Sequence, residues 1–325
     1  MKLPLIAIAG PTATGKSALG AALAHALNGE VVSCDSMQVY RGLETGTAQP
    51  TQAERALAPH HLTGFLDWDQ EFSVSDYVAA AAEVIRGVHS RKKMPFLVGG
   101  TGLYARSLLR GFTFQPEARD EALRKSLYKE VQGLGPEALH ARLAALDPQS
   151  AEEIHPHNVK RVLRALEYCL LSGEPFSRQA ERSAQAEPPY RSLLFCTAFQ
   201  DRQALYQRID RRVDRMLEEG LLDEAEAFYR YCQQAEKLPT AAQSIGYKEL
   251  FPYFAGKAAL EEAVENVKRE SRRYAKRQIT WFGREPEARF LYMDRLGSVE
   301  AALEHCLKVL REENFVGEGG GVIGF

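Results

Sequence analysis

The chain has no apolar run approaching the roughly 20 residues that a membrane-spanning helix requires, which argues against a helical membrane protein. Its five cysteines, Cys34, Cys169, Cys196, Cys232 and Cys306, are odd in number and show no CxxC or Cys/His spacing. That pattern argues against a zinc site or a disulfide framework and fits a reducing compartment. Charge imbalance is nearly absent too: 41 Lys and Arg against 43 Asp and Glu leave a net charge of −2. Composition alone therefore gives no indication of a nucleic-acid partner, and any such argument has to come from local clustering. No signal peptide precedes the first apolar segment, and no internal repeat is visible. Together these absences lead to the expectation of a cytoplasmic protein.

What is present is an ordinary globular composition, 45% hydrophobic and 26% charged over 325 residues, enough for one large domain and a smaller one. The apolar run Leu3 to Ala9 flows directly into Gly10, Pro11, Thr12, Ala13, Thr14, Gly15, Lys16 and Ser17. This is the GxxxxGKS pattern of a phosphate-binding loop, set between a buried strand and an alanine-rich helix as the physics of such a loop requires. Backbone N–H groups and the positive end of the helix dipole face the anion, Lys16 adds a point charge, and the Ser17 hydroxyl is suited to Mg2+. The motif indicates a bound polyphosphate group. It leaves open whether that group belongs to a nucleotide.

The first hundred residues alternate strand and helix: Leu3 to Ala9, Lys16 to Leu27, Glu30 to Cys34, a helix capped by Ser73 and Asp76 and running through Val88, then Met94 to Val98. The expected fold is α/β, a phosphate-loop parallel sheet flanked by helices, with a helical insertion domain. Residues 1–113 and 190–312 are expected to form the core domain, with Arg191 to Phe199 as a returning strand. Residues 114–189, in which the strand signal vanishes, form the insertion, and 313–325 a disordered, glycine-rich tail.

Ligands of parallel sheets collect beyond the carboxyl ends of the strands. That rule selects Gly10 to Ser17, Asp35 to Gln38, and Gly99 to Tyr104. Asp35 can hold a metal-bound water or accept a proton from an attacking nucleophile, or it can simply cap a turn. Asp35, Ser36 and Gln38 together can read a base edge. Thr101 can meet a ligand or N-cap the next helix, and the two are compatible. The helix from Ala258 to about Trp281 has a largely apolar seam of Leu260, Val264, Val267, Ser271, Tyr274 and Gln278, opposed by Arg269, Arg272, Arg273, Lys276 and Arg277. A second basic face, Lys160, Arg161 and Arg164, lies opposite Val159, Val162, Leu163 and Leu166. Either face can be plain solvated surface or a grip on a phosphate backbone. Arg208, Arg211, Arg212 and Arg215 stand near Asp210 and Asp214, so salt bridges can account for most of them, yet one can instead neutralise a leaving group.

Taken together, the motifs resemble the tRNA dimethylallyltransferase family in its bacterial form. The resemblance rests on Gly10 to Ser17, Asp35-Ser-Met-Gln-Val-Tyr-Arg-Gly42 with Thr45-Gly-Thr47, and Pro59-His-His-Leu62. It extends through Gly99 to Tyr104, Arg164-Ala-Leu-Glu167, Ile245-Gly-Tyr-Lys248 and Ala275-Lys-Arg-Gln-Ile-Thr-Trp-Phe282. Gln49, His157-Asn158 and Gly283 depart from the usual pattern. The resemblance implies transfer of a dimethylallyl group from dimethylallyl diphosphate to N6 of adenosine 37 in the tRNA anticodon stem-loop, with Mg2+ on Ser17 and a monomeric enzyme. It implies catalytic roles for Asp35, Thr101 and Arg208, and diphosphate binding by Gly10 through Ser17. It implies tRNA contacts at Asp35, Ser36, Met37, Gln38, Thr101 and Arg124, at Val159, Lys160, Arg161, Val162, Leu163 and Arg164, and at Arg272, Arg273, Lys276 and Arg277. The main alternative is a phosphate-loop kinase of a small metabolite or nucleotide. A third is a non-catalytic RNA-binding module.

Overall fold

The structure, a computed structural model, describes residues 2–112, 120–185 and 187–317. It divides into two compact units, Met1–Leu109 with Pro189–Phe325, and Arg110–Pro188. The first unit opens with β1 (Leu3–Ala9), α1 (Lys16–Ala26), β2 (Glu30–Ser33), α2 (Glu44–Thr47), α3 (Gln52–Leu57) and β3 (His60–His61). It continues with α4 (Val74–Ser90), β4 (Pro95–Gly99) and α5 (Gly102–Leu109). The second unit holds α6 (Glu121–Leu134), α7 (Pro136–Leu146), α8 (Pro148–Glu153), α9 (Val159–Ser172) and α10 (Phe176–Gln185). The chain then returns through β5 (Tyr190–Ala198), α11 (Arg202–Glu218), α12 (Leu221–Gln234), a 3-10 turn at Thr240–Gln243, and α13 (Phe251–Phe254). It closes with α14 (Leu260–Phe282), β6 (Arg289–Tyr292), α15 (Met293–Leu296) and α16 (Val299–Glu312).

The six strands form one parallel sheet in the order β3-β2-β4-β1-β5-β6. Every residue of β1 after Leu3 is buried, because a parallel strand covered by helices on both faces has no solvent side and reads as a continuous apolar run. Ile6 lies opposite Phe96 of β4 and Leu193 of β5, and Ile8 opposite Val98 and Phe195. With Leu19 and Leu23 of α1 and Cys306 and Leu310 of α16, these residues make the principal core. A second core joins Tyr40 and Leu43 to Phe228, Tyr247, Leu250 and Val267. β3 and β6, the two edge strands, are too short to leave a periodic signal, and sequence pattern did not find them.

Two expectations are corrected. The tail begins later than residue 313: Phe315 and Val316 are 3% exposed in the principal core, and the Phe315 N–H donates to the Leu310 carbonyl at 2.8 Å. Two apolar side chains directly after α16 find room against it, and residues 318–325 lie outside the described residues. Val162 and Leu163, expected to touch tRNA, are core residues of the second unit, buried with Leu127, Leu139, Leu143 and Leu166. The amphipathic period of α9 turns them inward, while Lys160 and Arg161 are exposed.

The amino-terminal end of β2 carries a buried carboxylate, Glu30, held by Arg91 at 2.6 Å, His61 at 2.7 Å and Lys93 at 3.1 Å. Burial alone would raise its pKa, but the hydrogen bonds from Arg91, His61 and Lys93 outweigh that and hold it down to about 2. A carboxyl whose folded pKa lies below its ordinary value stabilises the fold above that value and loses the contribution as pH falls toward the folded pKa. Glu30→Gln should therefore cost about 1–3 kcal/mol at neutral pH. The deficit should shrink from pH 4.5 downward, as urea unfolding of both proteins across pH would reveal.

Candidate active site

Gly10 leaves β1 with φ of 138°, and a Cβ there would lie 2.3 Å from the Thr197 carbonyl oxygen, so only glycine lets the loop depart. The Thr14 hydroxyl donates to the Pro11 carbonyl at 2.8 Å and meets the Thr197 hydroxyl at 2.6 Å, which locks the loop onto β5 from beneath. Lys16 opens α1 and its ammonium lies 3.4 Å from the Pro11 carbonyl. One loop amide departs from expectation: the Thr12 N–H is taken by Gln278 Oε1 at 2.9 Å rather than left for phosphate. Gln278 Nε2 donates in turn to the Gly100 carbonyl at 2.9 Å. The single polar member of the buried line of α14 thus ties the loop after β1 to the loop after β4.

Past β2, Asp35 Oδ1 accepts the Met37 N–H at 2.9 Å, closing an Asx turn. Thr101 is fixed to this turn: its Oγ1 accepts the Ser36 N–H at 3.0 Å and donates to the Ser36 hydroxyl at 3.4 Å. The Tyr274 hydroxyl of α14 also hydrogen-bonds Thr101, and burial, with the Asp35 charge nearby, keeps that phenol well above its ordinary pKa. Gln38 is committed to the protein as well. Its Nε2 donates to Ala48 at 2.7 Å and Thr47 at 3.3 Å, and its Oε1 accepts the Ser33 hydroxyl at 2.9 Å. The expected base-reading amide therefore keeps only one lone pair for a ligand. Gln49 is buried and donates to the Tyr40 carbonyl at 2.8 Å.

Lys16, Ser17, Asp35, Ser36, Gln38 and Arg212 line one cavity of about 240 Å3. Lys16 is held down to about 8, first by burial and then by the neighbouring Arg212 charge, against an opposing pull from Asp35. Burial lowers Arg212 too, and Asp35 opposes it. Two cations and one carboxylate thus converge with a surplus of positive charge. Arg208, singled out by the sequence, donates to the Ala13 carbonyl of the phosphate loop at 2.7 Å and sits over Phe199. Arg208 borders a second cavity of about 690 Å3, which also contains Arg211 and Arg215 and shares Lys16, Ser17 and Arg212 with the first. Arg208 and Arg212 lie one turn apart on one face of α11, so spacing could not tell which shares a cavity with Asp35.

On α14, Arg272 is engaged by Asp210 at 2.5 Å and Glu265 at 2.8 Å, while Arg273 is exposed and paired with Glu270 at 2.6 Å. Lys276 and Arg277 are exposed, and Arg277 lies over the Tyr274 ring. In the second unit Arg124 lies 3.5 Å from Glu167. All five cysteines are buried and free, and among the described residues no helix is long and apolar enough to cross a membrane.

A family model described as IPP transferase matches residues 38–285, and one described as isopentenyl transferase matches residues 3–58. The tRNA dimethylallyltransferase of Pelotomaculum thermopropionicum is 44% identical over 307 residues, which is 94% of this chain and 96% of that protein. That of Bacillus subtilis is 44% identical over 285 residues, 86% of this chain and 88% of its own length. Among solved structures, the full-length tRNA isopentenylpyrophosphate transferase of Bacillus halodurans matches with a TM-score of 0.69 at 41% identity, covering 96% of this chain and 98% of that one. A eukaryotic dimethylallyltransferase acting on tRNA matches with a TM-score of 0.82 at 29% identity, over 96% and 80% of the two chains. With the parallel sheet, the phosphate loop and relatives of this identity across nearly its whole length, the chain belongs to the tRNA dimethylallyltransferases, the IPP transferase family.

Proposed function

We propose that this protein transfers the dimethylallyl group of dimethylallyl diphosphate to N6 of adenosine 37 in the tRNA anticodon stem-loop, releasing diphosphate. The observation that carries the reading is the one cavity in which Asp35 faces Lys16, Ser17 and Arg212. A base and a diphosphate site share the same space, as direct displacement at an allylic carbon requires. The N6 lone pair forms the new C–N bond as the C–O bond to diphosphate breaks, the diphosphate leaves with the electron pair, and Asp35 accepts the N6 proton. An adenine amino group is a poor nucleophile because its lone pair is delocalised, so a carboxylate in reach is needed. Lys16 and Arg212 meet the charge that develops on the departing oxygen, and Thr101 holds the turn that carries Asp35. The target base has to leave its stack to enter, as in other base-modifying enzymes.

Among the described residues no group of three or more His, Cys, Asp or Glu is placed to hold a metal ion. The Ser17 hydroxyl, which lines the same cavity as Lys16 and Asp35, would hold Mg2+ there, a cation that seldom uses an all-protein cage. Bound there, Mg2+ would offset charge on the leaving diphosphate. Lys160 and Arg161 on α9, with Arg273, Lys276 and Arg277 on α14, supply exposed cations for the tRNA backbone. In this reading the helical unit is a tRNA-binding domain.

Family membership favours prenyl transfer over the kinase alternative. Incubation with dimethylallyl diphosphate, Mg2+ and unmodified tRNAs differing at the bases beside position 37 should release diphosphate and add one isoprenyl group per tRNA. Nucleotide-dependent phosphorylation without prenyl transfer would overturn the reading. The lowered Lys16 pKa adds a pH signature. Lys16 is charged below about 8 and loses its proton above it, so kcat/KM for dimethylallyl diphosphate should fall as pH rises through about 8. A flat profile from pH 7 to 9 would show that no Lys16 titration near pH 8 governs diphosphate binding.

A further inference from the structure

One carboxylate on α12 makes contacts that the reaction does not use. Glu224 Oε2 accepts the backbone N–H of Glu44 at 2.8 Å and of Thr45 at 3.0 Å, and Oε1 accepts that of Gly46 at 3.0 Å. These are the first three amides of α2, which a four-residue helix has no means of satisfying within itself. A fourth hydrogen bond comes from the Tyr247 hydroxyl to Oε1 at 2.6 Å. The Tyr247 ring is fully buried, and a Cβ on Gly46 would lie 2.5 Å from it, which is why Thr45-Gly46-Thr47 has glycine at its centre. The clamp therefore holds the start of α2 from two sides, by charge and by packing.

The other end of α2 faces the cavity. The Thr47 and Ala48 carbonyls receive both protons of the Gln38 amide, and Ser33 fills one lone pair of its Oε1. The direction of this amide is thus set by where α2 stands. Gly46 and Thr47 line the cavity beside Gln38 and Asp35. The lone pair left on Gln38 Oε1 favours a base edge that offers an N–H, such as an exocyclic amino group.

We propose that Glu224 is a positioning residue for the acceptor side of the cavity, acting through α2 on Gln38. The inference rests on the proposed prenyl transfer to a tRNA adenine. Glu224→Gln keeps one acceptor oxygen but removes the charge and sets an NH2 against the remaining backbone N–H, so the anchor of α2 is weakened while side-chain volume is kept. Tyr247→Phe removes one of the four hydrogen bonds and leaves the ring in place.

The test is a double-mutant cycle on kcat/KM for tRNA, crossing each variant with Gln38→Ala. Glu224→Gln should lower kcat/KM about tenfold or more in the wild-type background and less than about twofold once Gln38 is alanine. Tyr247→Phe should follow the same pattern with a loss of about threefold, and it carries the test alone if Glu224→Gln does not fold. Equal losses in both backgrounds would mean that Glu224 supports the fold only, and would overturn the proposal. Hydrogen exchange gives a readout free of activity: the Glu44, Thr45 and Gly46 amides should exchange slowly in wild type and faster in either variant. Unchanged exchange would also overturn it. A wild-type protein that transfers no prenyl group refutes the reaction itself, whereas additive losses in active proteins refute only the positioning role.

Discussion

Asp35→Asn should slow prenyl transfer by a factor on the order of 10^2 to 10^4 while leaving tRNA affinity within about threefold. The substitution is nearly isosteric, and the Asn carbonyl oxygen can still accept the Met37 N–H that closes the turn. Ser36 stays anchored to Thr101 through its own backbone N–H, so the wall of the cavity keeps its shape. What disappears is basicity. The neutral amide has no place for the N6 proton, and the adenine lone pair is not released to form the new bond. Asp35 also raises the pKa of Lys16, so its removal should pull Lys16 further below about 8. The comparison is therefore made below neutral pH, which favours the charged Lys16 in both proteins. Single-turnover transfer with saturating tRNA measures the chemical step, and filter binding measures affinity. A variant within tenfold of wild type in the single-turnover rate would remove Asp35 from the reaction.

Much of the site can be read from the sequence because it sits where a buried parallel sheet must end. β1 is apolar throughout, so its boundary with the glycine loop is unmistakable, and the carboxyl ends of β2 and β4 then lead to Asp35 and Thr101. The remainder depends on partners distant in the chain. Nothing near Thr12 indicates that its N–H is given to Gln278, 266 residues away. Nothing near Glu224 indicates that it caps α2, and Thr45-Gly46-Thr47 reads locally as an ordinary turn. The helical period also set a limit on motif transfer. A contiguous stretch such as Val159 to Arg164 cannot face a ligand along its whole length, and the hydrophobic period hands Val162 and Leu163 to the core. Short edge strands are lost for a similar reason: two residues of β3 carry no period, and its register comes from Val31 and Val32 of the neighbouring strand.

The choice between Arg208 and Arg212 gives the second large effect. Arg212→Leu should lower kcat by a factor on the order of 10^2 to 10^3, the usual cost of losing one preorganised group that meets developing negative charge. Arg208→Leu should cost less than about tenfold, since its guanidinium Nε is spent on the Ala13 carbonyl and Arg208 lines the second, larger cavity rather than the one that holds Asp35. Leucine fits at 212 because Ile209 and Val213 already make that wall of the cavity apolar. The two variants also differ in their effect on Lys16. Burial is the main cause of its lowered pKa and the Arg212 charge the next. Removing Arg212 should therefore let Lys16 climb from about 8 toward its ordinary value and shift the alkaline fall of kcat/KM for dimethylallyl diphosphate to higher pH. Arg208→Leu should leave that limb in place. If Arg208→Leu proves the more damaging variant, or if the alkaline limb of Arg212→Leu stays where it was, the leaving group is met from the second, larger cavity and Arg212 only shapes the one that holds Asp35.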